Sequence, residues 1–270
     1  MMMRGWGLMI GLLMCTQWAY AQWRLEKRVE WLDVDRFDLN NRGEVYVTRS
    51  NGDLAKFDAN GQLMLEYSPR LSNKVHQVDF NSQFRVYLFY RDFQEVIILN
   101  RYLSEPVRYL FSDFGIGYVS DIAPDMQQNI WLVDMHDFSL KLFDPRRSAL
   151  VEVKSLGKIL NQNTAQIEEL KNHQNRTYLM DASQGVLVFD NLGNYLNTML
   201  FDEVSSWGFF KDEIYCMQYD KLLFTNLYTF RTRQIEMPKE RGLGVRYFGD
   251  RLYVFDVKGF RIYQYLSGHN

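Results

Sequence analysis

The chain has 270 residues, 47% of them hydrophobic and 16% aromatic, enough to bury a large core and richer in strand formers than in helix formers. Its 31 basic and 33 acidic residues are interspersed and leave a formal charge of −2. That balance excludes the electrostatic footprint of a nucleic-acid binder and a polybasic membrane patch.

Met1 to Ala21 carries one positive charge at Arg4, an apolar run from Trp6 to Met14, and small residues at Ala19 and Ala21 before the polar Gln22. This is the layout of a cleavable secretory leader with its cut after Ala21, and the apolar run is too short to span a bilayer. The chain is therefore read as residues 1–21, a leader, and residues 22–270, one domain exported to the periplasm or the extracellular space. Leu12-Leu13-Met14-Cys15 offers a rival lipoprotein reading, but the bulky Met14 stands where that motif takes a small residue, so simple secretion is preferred. Without the leader the remaining cysteine is Cys216, inside the apolar strand Ile214 to Gln218, where it reads as a small buried hydrophobe.

From residue 34 onward one pattern recurs: a β-branched or apolar residue, then Tyr or Trp, then further apolar residues, a turn and another strand. The landmarks are Tyr46, Tyr87, Trp131, Tyr178, Tyr215 and Tyr253, spaced 37 to 47 residues apart. A repeat near 40 residues built of strands is the spacing of a four-stranded propeller blade. In the first unit the strands are Val34 to Leu39, Val45 to Arg49, Leu54 to Asp58 and Leu63 to Tyr67, separated by Asn- and Gly-rich turns that tolerate positive φ. The third unit reads Val119 to Ala123, Ile130 to Asp134, Leu140 to Asp144 and Leu150 to Val153. The segment Gly157 to Glu169, rich in Asn and Gln, reads as a long loop entering the fourth unit.

The sixth unit has only three strands, Val245 to Phe248, Leu252 to Asp256 and Phe260 to Leu266, which would leave an exposed edge. Trp23 to Trp31 alternates apolar and charged residues as a half-buried strand does. Pairing it with the last unit closes the ring. The expected fold is all-β: a six-bladed β-propeller with four antiparallel strands per blade, the last blade closed by the N-terminal strand.

The motifs Asn129-Ile130-Trp131-Leu132-Val133-Asp134 and Leu142-Phe143-Asp144, with Tyr178-Leu179-Met180-Asp181 and Val188-Phe189-Asp190, resemble the six-bladed propeller superfamily and within it the NHL-repeat group and similar secreted bacterial propellers. Arg49, Tyr90 and Gln218 stand where that pattern ends its second strand in Asp. The resemblance implies architecture; propellers of this kind include binding platforms, lactonases, lyases and envelope assembly factors, so fold alone does not assign activity.

In such folds a ligand site lies at one mouth of the central channel. The inner-strand positions expected there are Asp35, His76, Asp121, Glu168, Trp207 and Arg246. Three carboxylates and a histidine around a channel could hold Ca²⁺ or Zn²⁺; the plainer readings are a wetted rim or an Asp35–Arg246 ion pair across blades. The four histidines form no HxH or HExxH spacing, and no nucleophile elbow, P-loop or dinucleotide fingerprint occurs. No cofactor is therefore expected. Arg91, Phe93, His136 and Phe138 fall in equivalent turns of adjacent units and are candidates for a partner hot spot, unless the aromatics fold back between blades. The function read from these features is non-catalytic binding of an envelope or secreted protein, or of a glycan, as a monomer or within a hetero-complex. The alternative is a metal-dependent hydrolase or lyase using Asp35, His76, Asp121 and Glu168.

Overall fold

The computed structural model describes residues 22–80, 85–201, 204–240 and 242–266. The leader expectation and Cys15 lie outside the described residues. Strand β1 (Trp23–Glu30) precedes six antiparallel four-stranded sheets arranged as a ring. Blade 1 is β2 (Val34–Leu39), β3 (Val45–Arg49), β4 (Leu54–Phe57) and β5 (Leu63–Tyr67). Blade 2 is β6 (Gln77–Asp79), β7 (Arg85–Tyr90), β8 (Glu95–Asn100) and β9 (Val107–Leu110). Blade 3 is β10 (Val119–Pro124), β11 (Ile130–Asp134), β12 (Ser139–Asp144) and β13 (Ala149–Ser155). Blade 4 is β14 (Ile167–His173), β15 (Arg176–Asp181), β16 (Gly185–Phe189) and β17 (Tyr195–Met199). Blade 5 is β18 (Ser206–Phe210), β19 (Glu213–Gln218), β20 (Lys221–Asn226) and β21 (Thr232–Glu236). Blade 6 is β22 (Gly244–Phe248), β23 (Arg251–Asp256) and β24 (Gly259–Tyr265), with β1 as its fourth strand. Among the described residues the only helical pieces are two single 3₁₀ turns, at Arg91–Phe93 and Phe111–Phe114.

β1 runs antiparallel to β24 from Trp23 opposite Tyr265 to Glu30 opposite Gly259. Gly259 has φ +141°, and a Cβ there would stand 1.9 Å from the Val29 carbonyl oxygen, so the clasp needs a glycine at this turn. Trp23 anchors the strand: its indole N–H donates to the Glu236 carbonyl at 2.6 Å, and its ring meets Tyr265 edge-on.

The six landmark aromatics all lie on the second strand of a blade and are 0–3% exposed. Each faces the following blade rather than its own interior. Tyr46 stacks on Phe80 at 4.0 Å, Tyr178 lies 4.6 Å from Phe209, Tyr215 O–H accepts from the Tyr247 backbone N–H, and Tyr253 O–H donates to the Ala59 carbonyl. Trp131 closes over Gly193, where any Cβ would approach it to 3.0 Å. The core accordingly falls into six clusters, each shared by two neighbouring blades.

The aspartates of the repeat motif are used structurally. Asp134 accepts from the backbone N–H groups of Gly117 and His136 and from Lys141 Nζ, tying the entry loop of its blade to the turn beside it. Asp181 does the same for Gln166 and Ser183. Asp58 and Asp190 close Asx turns by accepting from N–H groups two and four residues ahead.

Candidate functional site

The inner strands β2, β6, β10, β14, β18 and β22 run in the same direction around the axis, so their first residues share one mouth and their last residues share the other. The first mouth also receives the links between blades and the turn joining the second and third strands of each blade. We call this side the connection face. The loop ahead of β14 ends at Gln166, which places Glu168 and Glu169 on the inner strand itself.

Three inner strands carry a β-bulge at this level, where the register slips between Val34 and Arg36, between Val119 and Asp121, and between Ile167 and Glu169. A bulge adds a residue and re-aims the side chains beside it. The result is a funnel of about 360 Å³ whose wall includes all six ligand-site candidates: Asp35, His76, Asp121, Glu168, Trp207 and Arg246. Trp207 is wall rather than platform, being 4% exposed with Lys171 Nζ 5.4 Å from its ring centroid. The expected Asp35–Arg246 pair does not form. Arg246 reaches deeper, to Asp38 three residues further along β2 at 2.8 Å, while Asp35 meets Lys74 at 3.0 Å and Arg36 at 3.5 Å.

Asp38, Lys171 and Arg246 form the floor. Lys171 comes from blade 4, opposite blade 1 in a six-membered ring, so its 3.3 Å contact with Asp38 spans the channel. Lys171 also binds Glu169 at 2.7 Å, and Arg246 donates to the Val245 carbonyl at 2.9 Å. Burial works to raise the Asp38 carboxyl, but Arg246 and Lys171 outweigh it and hold it at about 2. Nearby Asp79 has no such ion pair among the described residues; burial pushes its carboxyl up to about 7 against the pull of Lys171, with repulsion from Asp38 adding to the rise. Gln77 ties three blades at the same depth, exchanging hydrogen bonds with the Ile122 backbone and donating to the Leu170 carbonyl.

Asp38 and Arg246 also line a second cavity, of about 510 Å³, which opens at the opposite mouth with Asp79, Lys171, His173, Lys211 and Phe248 in its wall. The ionic floor thus separates two chambers. The sequence reading missed Asp38, Asp79 and Lys171. Their signal was the alternation along the inner strands, as in Glu169, Lys171 and His173; the bulges shift that alternation by one residue at the mouth.

The four hot-spot candidates separate. Arg91 turns into the funnel: Nε donates to the Ser120 carbonyl at 2.9 Å, and Nη2 donates to His76 Nε2 and lies 3.7 Å from Asp121. Phe138 is 3% exposed, packed with Leu140, Leu156 and Leu160 between blades 3 and 4, which corrects its reading as an exposed tip. Phe93 and His136 remain exposed on the connection face. Among the described residues no group of three or more His, Cys, Asp or Glu side chains is placed to hold a metal ion.

The molecule is a six-bladed β-propeller. Its fold is similar to virginiamycin B lyase from Staphylococcus aureus, at 8% identity and a TM-score of 0.57 over 86% of this chain and 80% of that one. It is also similar to the propeller domain of Cps50 (Swd1) from Myceliophteria thermophila, at 12% identity and 0.60 over 90% and 99%. A third similar structure is the WD40 domain of Pan2 from Neurospora crassa, at 9% identity and 0.60 over 88% and 91%. No protein-family model and no curated protein matches the sequence. At these identities the similarity shows the fold and leaves activity to the residues of the site.

Proposed function

We propose that the protein is a non-catalytic binding module, exported to the bacterial cell envelope, that docks another protein on its connection face. One observation carries this reading. Leu32, Leu71, Phe93, Leu200, Leu243 and Val257 are all exposed, Leu71 at 72% and Leu200 at 83%, and all sit in links or turns that surround the funnel. On the opposite face Tyr102, Leu192, Tyr228 and Phe230 occupy the outer turns, away from the axis, and Met126 is exposed in the inner hairpin of blade 3. A ring of apolar side chains around a polar centre is how a protein interface is built, and Tyr118 and Tyr219, exposed on the same face, add the amphipathic aromatics such interfaces favour.

Export is supported by the leader pattern of Met1 to Ala21. The metal-dependent hydrolase fits less well. Asp35 is engaged by Lys74, and the Arg91 guanidinium stands beside His76 and Asp121, so cations already occupy the space a metal would need.

The test is capture of partners from envelope extracts by the protein and by a Leu71→Asp/Leu200→Asp variant, with the outer-strand Val153→Asp as control. The partner retained by wild type and control is expected to be lost by the double variant. Equal capture by all three would remove the connection face as the docking surface. Export predicts a mature N-terminus at Gln22 by mass spectrometry of the envelope fraction; an uncut chain in the cytoplasm would overturn it.

A further inference from the structure

The funnel is acidic in a specific way. Five carboxylates line it, Asp35, Asp38, Asp121, Glu168 and Glu169, with two arginines, Arg36 and Arg246, while Lys74, Lys171 and Arg91 reach those carboxylates from beside the wall. Asp38 and Glu169 are engaged by the floor cations. The other three retain acceptor capacity. Asp121 is only 1% exposed, yet its Oδ2 has no hydrogen-bond partner, and neither does Asp35 Oδ2 or the adjacent Ser120 Oγ. Among the described residues no hydrogen bond or ion pair reaches Glu168. A buried carboxylate oxygen without a donor is costly, and such groups in native proteins are normally satisfied by a partner.

The chain's own cation does not supply that bond. Arg91 Nη2 stops 3.7 Å from Asp121 Oδ2, while its donors serve His76 and the Ser120 carbonyl. His76 Nε2, which receives the Arg91 Nη2 donor, also lies 3.5 Å from Asp121 Oδ1. Among the described residues Arg91 is the one Lys or Arg within ion-pair distance of Asp121, and it sits there with its fork engaged elsewhere.

We propose that the funnel receives a guanidinium group, an arginine side chain of the docked protein, with Asp121, Asp35 and Glu168 as acceptors and Arg91 as the occupant it displaces. The guanidinium fork carries five donors that can serve several carboxylate oxygens at once, whereas among the described residues no group of three or more His, Cys, Asp or Glu is placed to hold a metal ion. This deepens the docking reading and depends on it for the partner, though not for the pocket's chemistry.

The experiment titrates the purified protein with N-acetyl-arginine amide, its neutral isostere N-acetyl-citrulline amide, and Ca²⁺ alone, followed by NMR chemical shifts. Saturable binding of the arginine probe is expected, with citrulline at least tenfold weaker. Asp121→Asn should weaken the arginine probe at least tenfold and the exposed Glu168→Gln about threefold, while Arg91→Ala should tighten it severalfold by clearing the competitor. Equal binding of arginine and citrulline, no effect of either acidic substitution, weaker binding in a folded Arg91→Ala, or shifts of the same funnel resonances by Ca²⁺ alone would overturn the proposal. The docking reading fails separately: Leu71→Asp/Leu200→Asp leaves probe binding intact, so capture unaffected by that variant sinks the docking face and not the pocket.

Discussion

At the scale of single residues, the channel floor holds the sharpest electrostatic contrast in the molecule. Removing the Asp38 charge leaves Lys171 and Arg246 facing each other without their shared anion, a change that costs about 3 kcal/mol when a buried pair loses one partner. Asp38→Asn should therefore lower the melting temperature by roughly 6–10 °C for a chain of this size, as calorimetry would read. Its carboxyl is held at about 2, so the stability it adds is present above the ordinary carboxylate range and is lost as pH falls through that value. Asp79 behaves in the opposite sense. Raised to about 7, it keeps its proton in the fold where the unfolded chain has released it, so stability declines as pH rises from about 4 to about 7. Asp79→Asn is expected to remove that decline and to melt higher than wild type at pH 8; an unchanged pH profile of melting would refute the assignment. Cys216 is fully buried, with burial pushing its thiol up to about 12. It should resist a thiol reagent in the native state and react at the rate of unfolding.

At the scale of elements, the clasp is the joint that closes the ring. β1 is the only strand of its sheet that comes from a distant part of the chain, and its charged outer face contributes little burial. The contacts that hold it include the ladder to β24, the Trp23 anchor, the Arg251–Glu26 pair at 3.0 Å, the Arg28–Glu240 pair at 3.3 Å and the Lys27 bond to the Gly61 carbonyl. Gly259→Ala would drive a Cβ against the Val29 carbonyl, so it should destabilise by about 2–4 kcal/mol, in the range of other forced backbone clashes, and raise hydrogen exchange in β1 and β24 before other strands. Exchange that rises uniformly around the ring would show that the clasp opens only with global unfolding. The bulges in β2, β10 and β14 are the other elements with consequence, because they set which side chains reach the funnel. Sequence periodicity located β2 and β10 within a residue, whereas the loop expected up to Glu169 ran three residues into β14, and the bulges are invisible to it: a one-residue slip flips the facing of every side chain before it.

For the whole molecule, stability resides between blades. Each landmark Tyr or Trp wedges against the next blade, so a blade has little to fold around by itself and the ring is completed only when the last interface closes on the first. Trp131→Ala, at the interface of blades 3 and 4, should cost about 3–5 kcal/mol, and the loss should spread to both blades in hydrogen exchange rather than stay in blade 3. The same closure joins both ends of the chain in one sheet and leaves the connection face as a continuous surface around the funnel. The links on that face carry the exposed apolar residues, and no local pattern announces them, since single apolar residues in loops are common in any sequence.

Repeat spacing, turn chemistry and the alternating pattern of Trp23 to Trp31 were enough to specify the number of blades, the strands of the first, third and sixth, and the closure, because hairpins are local and their periods survive in the order of residues. The same pattern named six side chains that meet around one funnel, since all lie near the start of inner strands. Which of them pair was decided only in three dimensions. Lys171 reaches Asp38 across the channel from a blade three repeats away, Arg246 bypasses Asp35 for Asp38, and Phe138 and Arg91, in equivalent turns, go to the core and to the funnel. These outcomes depend on ring closure and on one-residue bulges, which bring distant strands within about 3 Å and set the direction each side chain takes.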